Sequence, residues 1–227
     1  MLQGEMKNNR DSQKCILCKN EELVAFDVPI PPNFFYFQCS LCEIIFLDPQ
    51  RRLSLEEEKI RYGFHEYHDT ESYRDFYAPF LFQIESHFVN LKRVGRVLDY
   101  GSGPQSLLAK ILRENRVEVA CYDPFFANEP ELLQQKYDLI VSTEVFEHFF
   151  NPLQEMNRLT NLFESGGTLA VLTSFHQGRT HFQNWHYRRD PTHVTFYNEK
   201  TFQWICEQFQ LNCIVNEKSI FMGQWKM

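Results

Sequence analysis

Three groups of residues in this chain have the types and spacing to do chemistry. The run Val97-Leu98-Asp99-Tyr100-Gly101-Ser102-Gly103 sets an aspartate ahead of two closely spaced glycines. Without a Cβ, those glycines let the backbone approach a ligand where any other residue would clash. The pairs Cys15-x2-Cys18 and Cys39-x2-Cys42 have the spacing of two knuckles that place four thiolates tetrahedrally about one Zn2+ ion. Four thiolates leave no open coordination position, so such an ion stabilises a fold and does no chemistry. Histidines stand at His148, beside Glu147, and at His193, closing the segment from Trp185 through His186, Tyr187, Arg188 and Arg189. An imidazole near neutral pH is a natural general base or positioning group. The spacing of His176, His181 and His186 matches no metal-binding pattern.

The glycine run needs a strand before it and a helix after it. Arg96–Tyr100 supplies an apolar strand and Gln105–Glu114 a helical stretch, which is a nucleotide-binding arrangement. Asp123 ends the next strand, about 20 residues on, where an acid accepts hydrogen bonds from ribose hydroxyls. Two cofactor classes fit. A dinucleotide fingerprint requires a third glycine, and the loop continues Pro104-Gln105-Ser106 instead. Asp99 beside a pyrophosphate is unhelpful, but its carboxylate suits the ammonium group of S-adenosylmethionine. The loop alone leaves a structural role or another nucleotide open.

More of the chain points to the methyl donor. The series Val97 to Gly103, Cys121-Tyr122-Asp123-Pro124, Tyr137 to His148 and Gly166-Gly167-Thr168-Leu169 resembles class I S-adenosylmethionine-dependent methyltransferases. The nearest subgroup resembles ubiquinone-pathway O-methyltransferases and sugar or natural-product methyltransferases, and Trp185–Val194 resembles its late loop. Several of these carry an N-terminal zinc module like the one the cysteines imply here. The resemblance covers roughly residues 94–222. It implies that Asp99, Gly101 and Gly103 surround the methionine part of the cofactor, with Tyr100 and Ser102 in the same run. It implies that Asp123 holds the ribose, that Pro124 and Phe125 flank the adenine, and that Thr143 and Glu144 lie near the sulfonium. S-adenosylhomocysteine would be the product. For Thr143 and Glu144 a plain loop and helix-cap role stays open. The chain departs from the family at Gln105, often a glycine there, and in the short stretch from Asp123 to Asp138, which has no room for the usual extra strand and helix.

The elements around these residues follow from pattern. Ser54 caps a helix over 54–68 with Glu57 as its capping-box partner. A second helix over 70–92 repeats Phe76, Phe80, Ile84, Phe88 and Leu91. Tyr62 and Tyr67 on the first of these are placed either to close over the methionine end or simply to pack. Strands are predicted at Val117–Tyr122, Asp138–Ser142, Thr168–Thr173, Asn212–Val215 and Ser219–Met222. Helices are predicted at Leu153–Phe163, stopped by Gly166-Gly167, and from the cap Asn198 through Phe209. Alternating strands and helices give an α/β fold: a Rossmann-like class I methyltransferase sheet with helices on both faces, preceded by a small zinc-ribbon-like module and a helical segment. The expected division is 1–50 for the zinc-ribbon-like module, 51–93 for a helical linker or lid, and 94–227 for the S-adenosylmethionine-binding domain.

The chain has 227 residues, 43% of them hydrophobic, including 22 phenylalanines, with a formal net charge of −7. That composition supports a sizeable core, and the acidic balance disfavours a nucleic-acid backbone as partner. There is no apolar leader in residues 1–13, which read as polar and frayed, and no membrane span, so the expected location is cytoplasmic. Cys121, Cys206 and Cys213 read as core thiols. The expectation is therefore an enzyme that methylates a small-molecule acceptor at O, C or N, with structural Zn2+ and with His148 and His193 as base candidates. The alternative is a non-catalytic zinc-ribbon and degenerate methyltransferase-fold protein that serves a partner. An NAD-linked oxidoreductase lacks its third glycine. Nothing in the sequence fixes the acceptor or the oligomeric state.

Overall fold

The computed structural model describes residues 13–29, 34–63, 69–88 and 94–226. Its centre is a six-stranded sheet whose strands alternate with helices. The strands are β4 (Val97–Tyr100), β5 (Val119–Tyr122), β6 (Tyr137–Thr143), β7 (Phe163–Leu172), β9 (Leu211–Glu217) and β10 (Ile220–Trp225), in the order β5-β4-β6-β7-β10-β9. The first four run parallel, and β10 is antiparallel to both β7 and β9. A parallel sheet must be covered on both faces, and the side chains divide accordingly. Leu98, Ile140, Leu169, Val171 and Phe221 pack with α4 (Pro152–Thr160) and α6 (Glu199–Gln208). Val97, Leu139, Val141, Ala170 and Met222 pack with α2 (Glu71–Phe88) and α3 (Leu107–Glu114).

The local signals explain most element boundaries. Ser54 and Glu57 form the reciprocal capping box of α1 (Leu55–Tyr62), which ends at Gly63. Ser106 caps α3 through Ala109 N at 2.9 Å, and Asn198 caps α6 through Thr201 N at 2.8 Å. The predicted continuation of α1 over 64–68, including Tyr67, and the residues 1–12 and 89–93, with Leu91, lie outside the described residues.

Several expectations are corrected. The helix predicted to Phe163 ends at Thr160, and Phe163 already pairs with Tyr137 as the first residue of β7. The pair Gly166-Gly167 therefore lies inside that strand. A Cβ on Gly167 would stand 2.9 Å from Tyr137 O, so the glycine permits close approach of β7 to β6. Phe76, predicted for the buried face of α2, is 48% exposed, while Phe80 and Ile84 are fully buried. Cys213, expected in the core, is exposed on the edge strand β9. The late polar loop contains a short helix, α5 (Arg179–Asn184), and a 3-10 turn over His186–Arg189. Between Asp123 and Tyr137 there is only an isolated bridge to Ala127 and a 3-10 turn over Pro130–Gln134, so β5 is the edge of the sheet.

The four cysteines border a second, antiparallel sheet of order β1-β2-β3-β8, made by β1 (Leu23–Asp27), β2 (Phe35–Cys39), β3 (Ile45–Leu47) and β8 (Thr195–Phe196): Cys15 and Cys18 precede β1, Cys39 ends β2 and Cys42 lies in the turn before β3. Its last strand comes from the late segment of the chain. The second cysteine knuckle also docks on α6: Glu43 accepts from Asn198 Nδ2 and Lys200 Nζ, and Thr201 Oγ1 donates to Cys42 O at 2.8 Å. Cys15, Leu17, Cys39, Cys42 and Ile44 share one continuous core with Leu98, Ile140 and Phe202 of the larger sheet.

His176 ties the two units together, with Nε2 3.1 Å from Glu43 O and Nδ1 accepting from Gly178 N. Both ring nitrogens are therefore used by the neutral form. Burial pulls its pKa down to about 4 from 6.5. The unfolded chain thus takes up a proton first as pH falls, and stability drops between about pH 6.5 and about pH 4. By pH 5 this term costs about 2 kcal/mol. Urea titrations at pH 7 and pH 5 should show His176→Gln losing less stability than the wild type. Parallel losses in the two proteins would contradict the assignment.

Candidate active site

The carboxyl ends of β4, β5 and β6 gather most of the residues singled out from the sequence. Gly101 and Gly103 have φ of +83° and +63°, the left-handed conformation that glycine adopts at little cost. Gly101 N donates to Tyr122 O at 2.8 Å, and Gly103 N donates to Asp123 Oδ2 at 3.0 Å. The other Asp123 oxygen accepts from Phe125 N and Phe126 N at 2.8 and 3.1 Å. Asp123 therefore holds the glycine loop and the turn after β5 in one arrangement, with Pro124 and Phe125 on that turn.

Two residues of the run are directed elsewhere. Asp99 lies beneath the loop, 1% exposed, where it accepts a hydrogen bond from Ser106 Oγ. Burial raises its pKa to about 6. The Tyr100 side chain points to the opposite face, stacks on Tyr122 and bonds to Glu155 and Arg158 of α4. Only the main chain of Tyr100 faces the loop. A cleft of about 440 Å³ touches Ser102, Gly103 and Gln105 and is walled by Lys110, Arg113 and Cys121. It opens on the α3 side, beside the edge strand, and Asp123, Thr143 and Glu144 do not line it. The strand ends and the positive-φ glycines lie at the carboxyl edge of the sheet, the side on which such sheets bind ligands.

On the strand-end side, Tyr62 of α1 lies between Phe125 and His148, with ring centroids 5.7 and 5.1 Å away. Arg61 pairs with Asp190 at 3.1 Å and helps fix α1 over the late segment. Tyr62 OH donates to Glu58 at 2.7 Å, and burial with that carboxylate raises both pKa values.

Beyond β6 the chain turns at Thr143-Glu144, with Glu144 at φ +53°, and a 3-10 turn covers Phe146–His148. This brings together a polar cluster. Tyr187 OH lies 2.6 Å from Glu147 Oε1 and 3.1 Å from Glu144 Oε2, and Thr173 Oγ1 donates to Glu147 Oε2 at 2.9 Å. Glu147 is fully buried. Burial and the neighbouring Glu147 raise the Glu144 pKa to about 9. His148 Nδ1 is 3.0 Å from Thr192 O, and His193 Nδ1 is 2.6 Å from Tyr187 O. The two imidazole centroids are 4.8 Å apart. Burial lowers the His193 pKa, against the raising effect of Glu147. The two histidines named from the sequence thus belong to one site. Glu147, Tyr187 and Thr173 were not singled out. The available signal was the pair of acids Glu144 and Glu147 set close together just past the third parallel strand.

Away from this site the four thiols converge. Cys15 Sγ is 3.6 Å from Cys42 Sγ, and Cys18 Sγ is 3.4 Å from Cys39 Sγ. All four sulfurs lie within 4.8 Å of one another. A tetrahedron with 2.3 Å metal–sulfur bonds has edges of roughly 3.8 Å, so the donor set fits zinc. Cys18 N and Leu41 N each donate to a cysteine sulfur at 3.4 Å. Each knuckle ends on a residue with positive φ, Lys19 at 62° and Glu43 at 59°.

Comparison with known proteins places the fold and the family. A model for a family described as "Methyltransferase domain" matches residues 65–216. Among solved structures, the chain is similar to the 1,6-didemethyltoxoflavin-N1-methyltransferase of Burkholderia thailandensis, with bound 1,6-didemethyltoxoflavin and S-adenosylhomocysteine. That likeness has 11% identity and a TM-score of 0.55, over 89% of this chain and 99% of that one. It is also similar to the N-methyltransferase NodS of Bradyrhizobium japonicum WM9 in complex with S-adenosylhomocysteine, at 12% identity and TM-score 0.50, over 75% of this chain and 98% of that one. The S-adenosylmethionine-dependent methyltransferase SibL matches at 16% identity and TM-score 0.40 over 60% of this chain, which spans only 52% of that protein. At these identities the structures establish the fold alone. No curated protein sequence matches the chain.

Proposed function

The chain belongs to the methyltransferase domain family, and on that premise we propose that it transfers a methyl group from S-adenosylmethionine to an oxygen, nitrogen or carbon of a small-molecule acceptor. The observation that carries this reading is the single carboxylate of Asp123. It ties the positive-φ glycine loop to the turn after β5, at the strand ends where such sheets bind ligands. When bound, the cofactor supplies an electrophilic methyl on a sulfonium. Gly101, Ser102 and Gly103 would hold its methionine end and the remaining lone pairs of Asp123 its ribose. Pro124 and Phe125 would flank the adenine, with Thr143 and Glu144 near the sulfonium. Asp99, buried on Ser106, would act on the ammonium by setting the loop's shape.

His148 and His193 stand on the same side of the sheet and are the groups placed to act on an acceptor's proton. Tyr62 and the late segment would exclude water from the transfer. The four-cysteine cluster would hold one structural Zn2+. Seven unpaired thiols support a reducing compartment such as the cytosol, and among the described residues no helix is long and apolar enough to cross a membrane.

The missing strand beyond β5 and the burial of Asp99 favour a second reading, a methyltransferase-fold protein that no longer catalyses and serves a partner. Calorimetry with S-adenosylhomocysteine separates the two. The zinc-loaded protein should bind it one to one, and Asp123→Ala should weaken binding at least tenfold. Absence of binding by the wild type would leave the non-catalytic reading standing.

A further inference from the structure

Three cysteines lie outside the four-thiol cluster, and two of them meet. Cys206 is near the end of α6 and Cys213 is in β9, with only a tight turn at Phe209 and Gln210 between the two elements. Phe209 N donates to Ile205 O at 2.9 Å and Gln210 has φ of +55°, so the chain reverses there. Strand pairing fixes the direction of Cys213. It stands opposite Gly223 of β10, as Leu211 stands opposite Trp225. Directly opposed residues share a face, and so do residues two apart on one strand. A Cβ on Gly223 would lie 3.2 Å from Leu211 Cβ and 2.8 Å from Phe221 Cζ. Leu211 and Phe221 belong to the core that also contains Phe202, Ile205 and Cys206 of α6. Cys213 therefore faces α6, and its thiol is in hydrogen-bonding contact with the thiol of Cys206.

The two thiols differ in access. Cys206 is 3% exposed, whereas Cys213 is exposed on the edge strand. Burial, with Cys213 beside it, pushes the Cys206 thiol up to about 12. A reagent from solvent therefore reaches Cys213 first, and Cys206 can act only on what Cys213 has become. Cys121 is no partner for either, because it lies on β5 at the opposite edge of the sheet and accepts from Arg113 Nη2 at 3.2 Å. Thiol pairs of this kind stay reduced in a reducing compartment and close transiently when it turns oxidising.

We propose that Cys206 and Cys213 form a redox modification site, which a low-molecular-weight disulfide of the glutathione type converts to an intramolecular disulfide that staples α6 to β9. In the first step Cys213 loses its proton to solvent and its thiolate attacks one sulfur of the small disulfide. That S–S bond breaks, a mixed disulfide forms on Cys213, and one small thiolate leaves. In the second step Cys206 gives its proton to solvent and its sulfur attacks the Cys213 sulfur, which releases the second small thiolate. The pair has then lost two electrons and two protons, and the small disulfide has gained them as two thiols. The bond closes a short loop and restricts the unfolded chain. Its effect falls on the support of the cysteine-bearing sheet. The start of α6 carries the second knuckle, with Thr201 Oγ1 on Cys42 O and Lys200 Nζ on Glu43. The staple would hold that helix in place under the oxidising conditions that also attack zinc thiolates.

The test uses the full chain with zinc loaded. Oxidised glutathione is titrated in, and the products are read by intact mass, non-reducing peptide mapping and zinc content. The expected product is a Cys206–Cys213 link, formed while zinc is still bound, in a protein that melts at a higher temperature than the reduced form. Cys206→Ala should stop with one glutathionyl group on Cys213. Cys213→Ser should leave Cys206 unmodified and show no rise in melting temperature. If Cys206→Ala fails to fold, the peptide map of the wild type and the Cys213→Ser protein still decide. Four results would each overturn the proposal: a wild type that keeps the glutathionyl group on Cys213, a link between other cysteines formed first, zinc release before the link, or a linked protein that melts no higher than the reduced one.

Discussion

With Zn2+ held by the four cysteines as proposed, stripping it is expected to unfold the larger sheet along with the cysteine-bearing one, not the cysteine-bearing sheet alone. Cys15, Cys39 and Cys42, together with Leu17 and Ile44, are fully buried in the same core as Leu98, Ile140 and Phe202. β3 is hydrogen-bonded to β8, and Glu43 and Cys42 are bonded to the start of α6. Four thiolates brought together without a metal repel or must take up protons. Structural zinc contributes on the order of 10–16 kcal/mol in isolated fingers, as much as the entire stability of an ordinary domain, about 5–15 kcal/mol. A chelator titration should give one transition, with near-ultraviolet circular dichroism and amide protection in β4 and β6 lost together with the zinc. Cys42→Ser should behave like the chelated protein. If the amides of β4 and β6 stay protected after zinc has left, the two sheets are independent and this account of the shared core is wrong.

The second large effect is expected from one methyl group. An alanine at Gly101 would drive its Cβ into Val145 Cγ2 and to 2.7 Å from Val145 Cγ1, at a φ of +83°. The left-handed conformation costs an L-residue about 1–2 kcal/mol, and overpacking adds about 1–3 kcal/mol. Gly101→Ala should therefore lose about 2–5 kcal/mol of stability. It should also lose at least tenfold in affinity for S-adenosylhomocysteine, because a loop that moves off Val145 gives up its bonds to Tyr122 O and Asp123. The double variant Gly101→Ala with Val145→Ala removes the collision and keeps the backbone cost. Stability measured over that cycle should show the double variant recovering about 1 kcal/mol or more over the simple sum. Strict additivity would mean that Val145 is not what the glycine accommodates.

The sheet and its glycine loop were legible because local rules determine them. Apolar runs ended at Tyr100, Tyr122 and the Thr143 turn, and Ser54 and Asn198 capped helices as their types suggest, whereas the helix expected from Gln105 starts at Leu107 behind the cap Ser106. The thiol cluster was legible from spacing alone. What was not legible depends on contacts between distant segments. Thr195–Phe196 is too short a strand to leave a periodic signal, and only its pairing with β3 defines it. Gly166-Gly167 looked like a helix stop because glycine often is one. The close approach of β7 to β6 gives it a different purpose here. Asp99 and Tyr100 were grouped with the loop by adjacency, yet neighbouring residues of a strand point to opposite faces. One is under α3 and the other under α4. Glu147 and Tyr187 meet only because the late segment folds back over the turn after β6.

The fourth strand of the cysteine-bearing sheet has a consequence for how the protein is made. Ile45 and Phe46 leave the ribosome early, but their partners Phe196 and Thr195 follow only after nearly all of the larger sheet has been synthesised. At about 5–20 residues per second, that interval is on the order of ten seconds. During it the young chain carries an open, apolar strand edge, the kind of edge that invites pairing with a neighbouring molecule. Early metal capture would hold the two knuckles together through that wait. A cell short of zinc should therefore lose this protein to aggregation during translation, before any mature copy has been tested for activity.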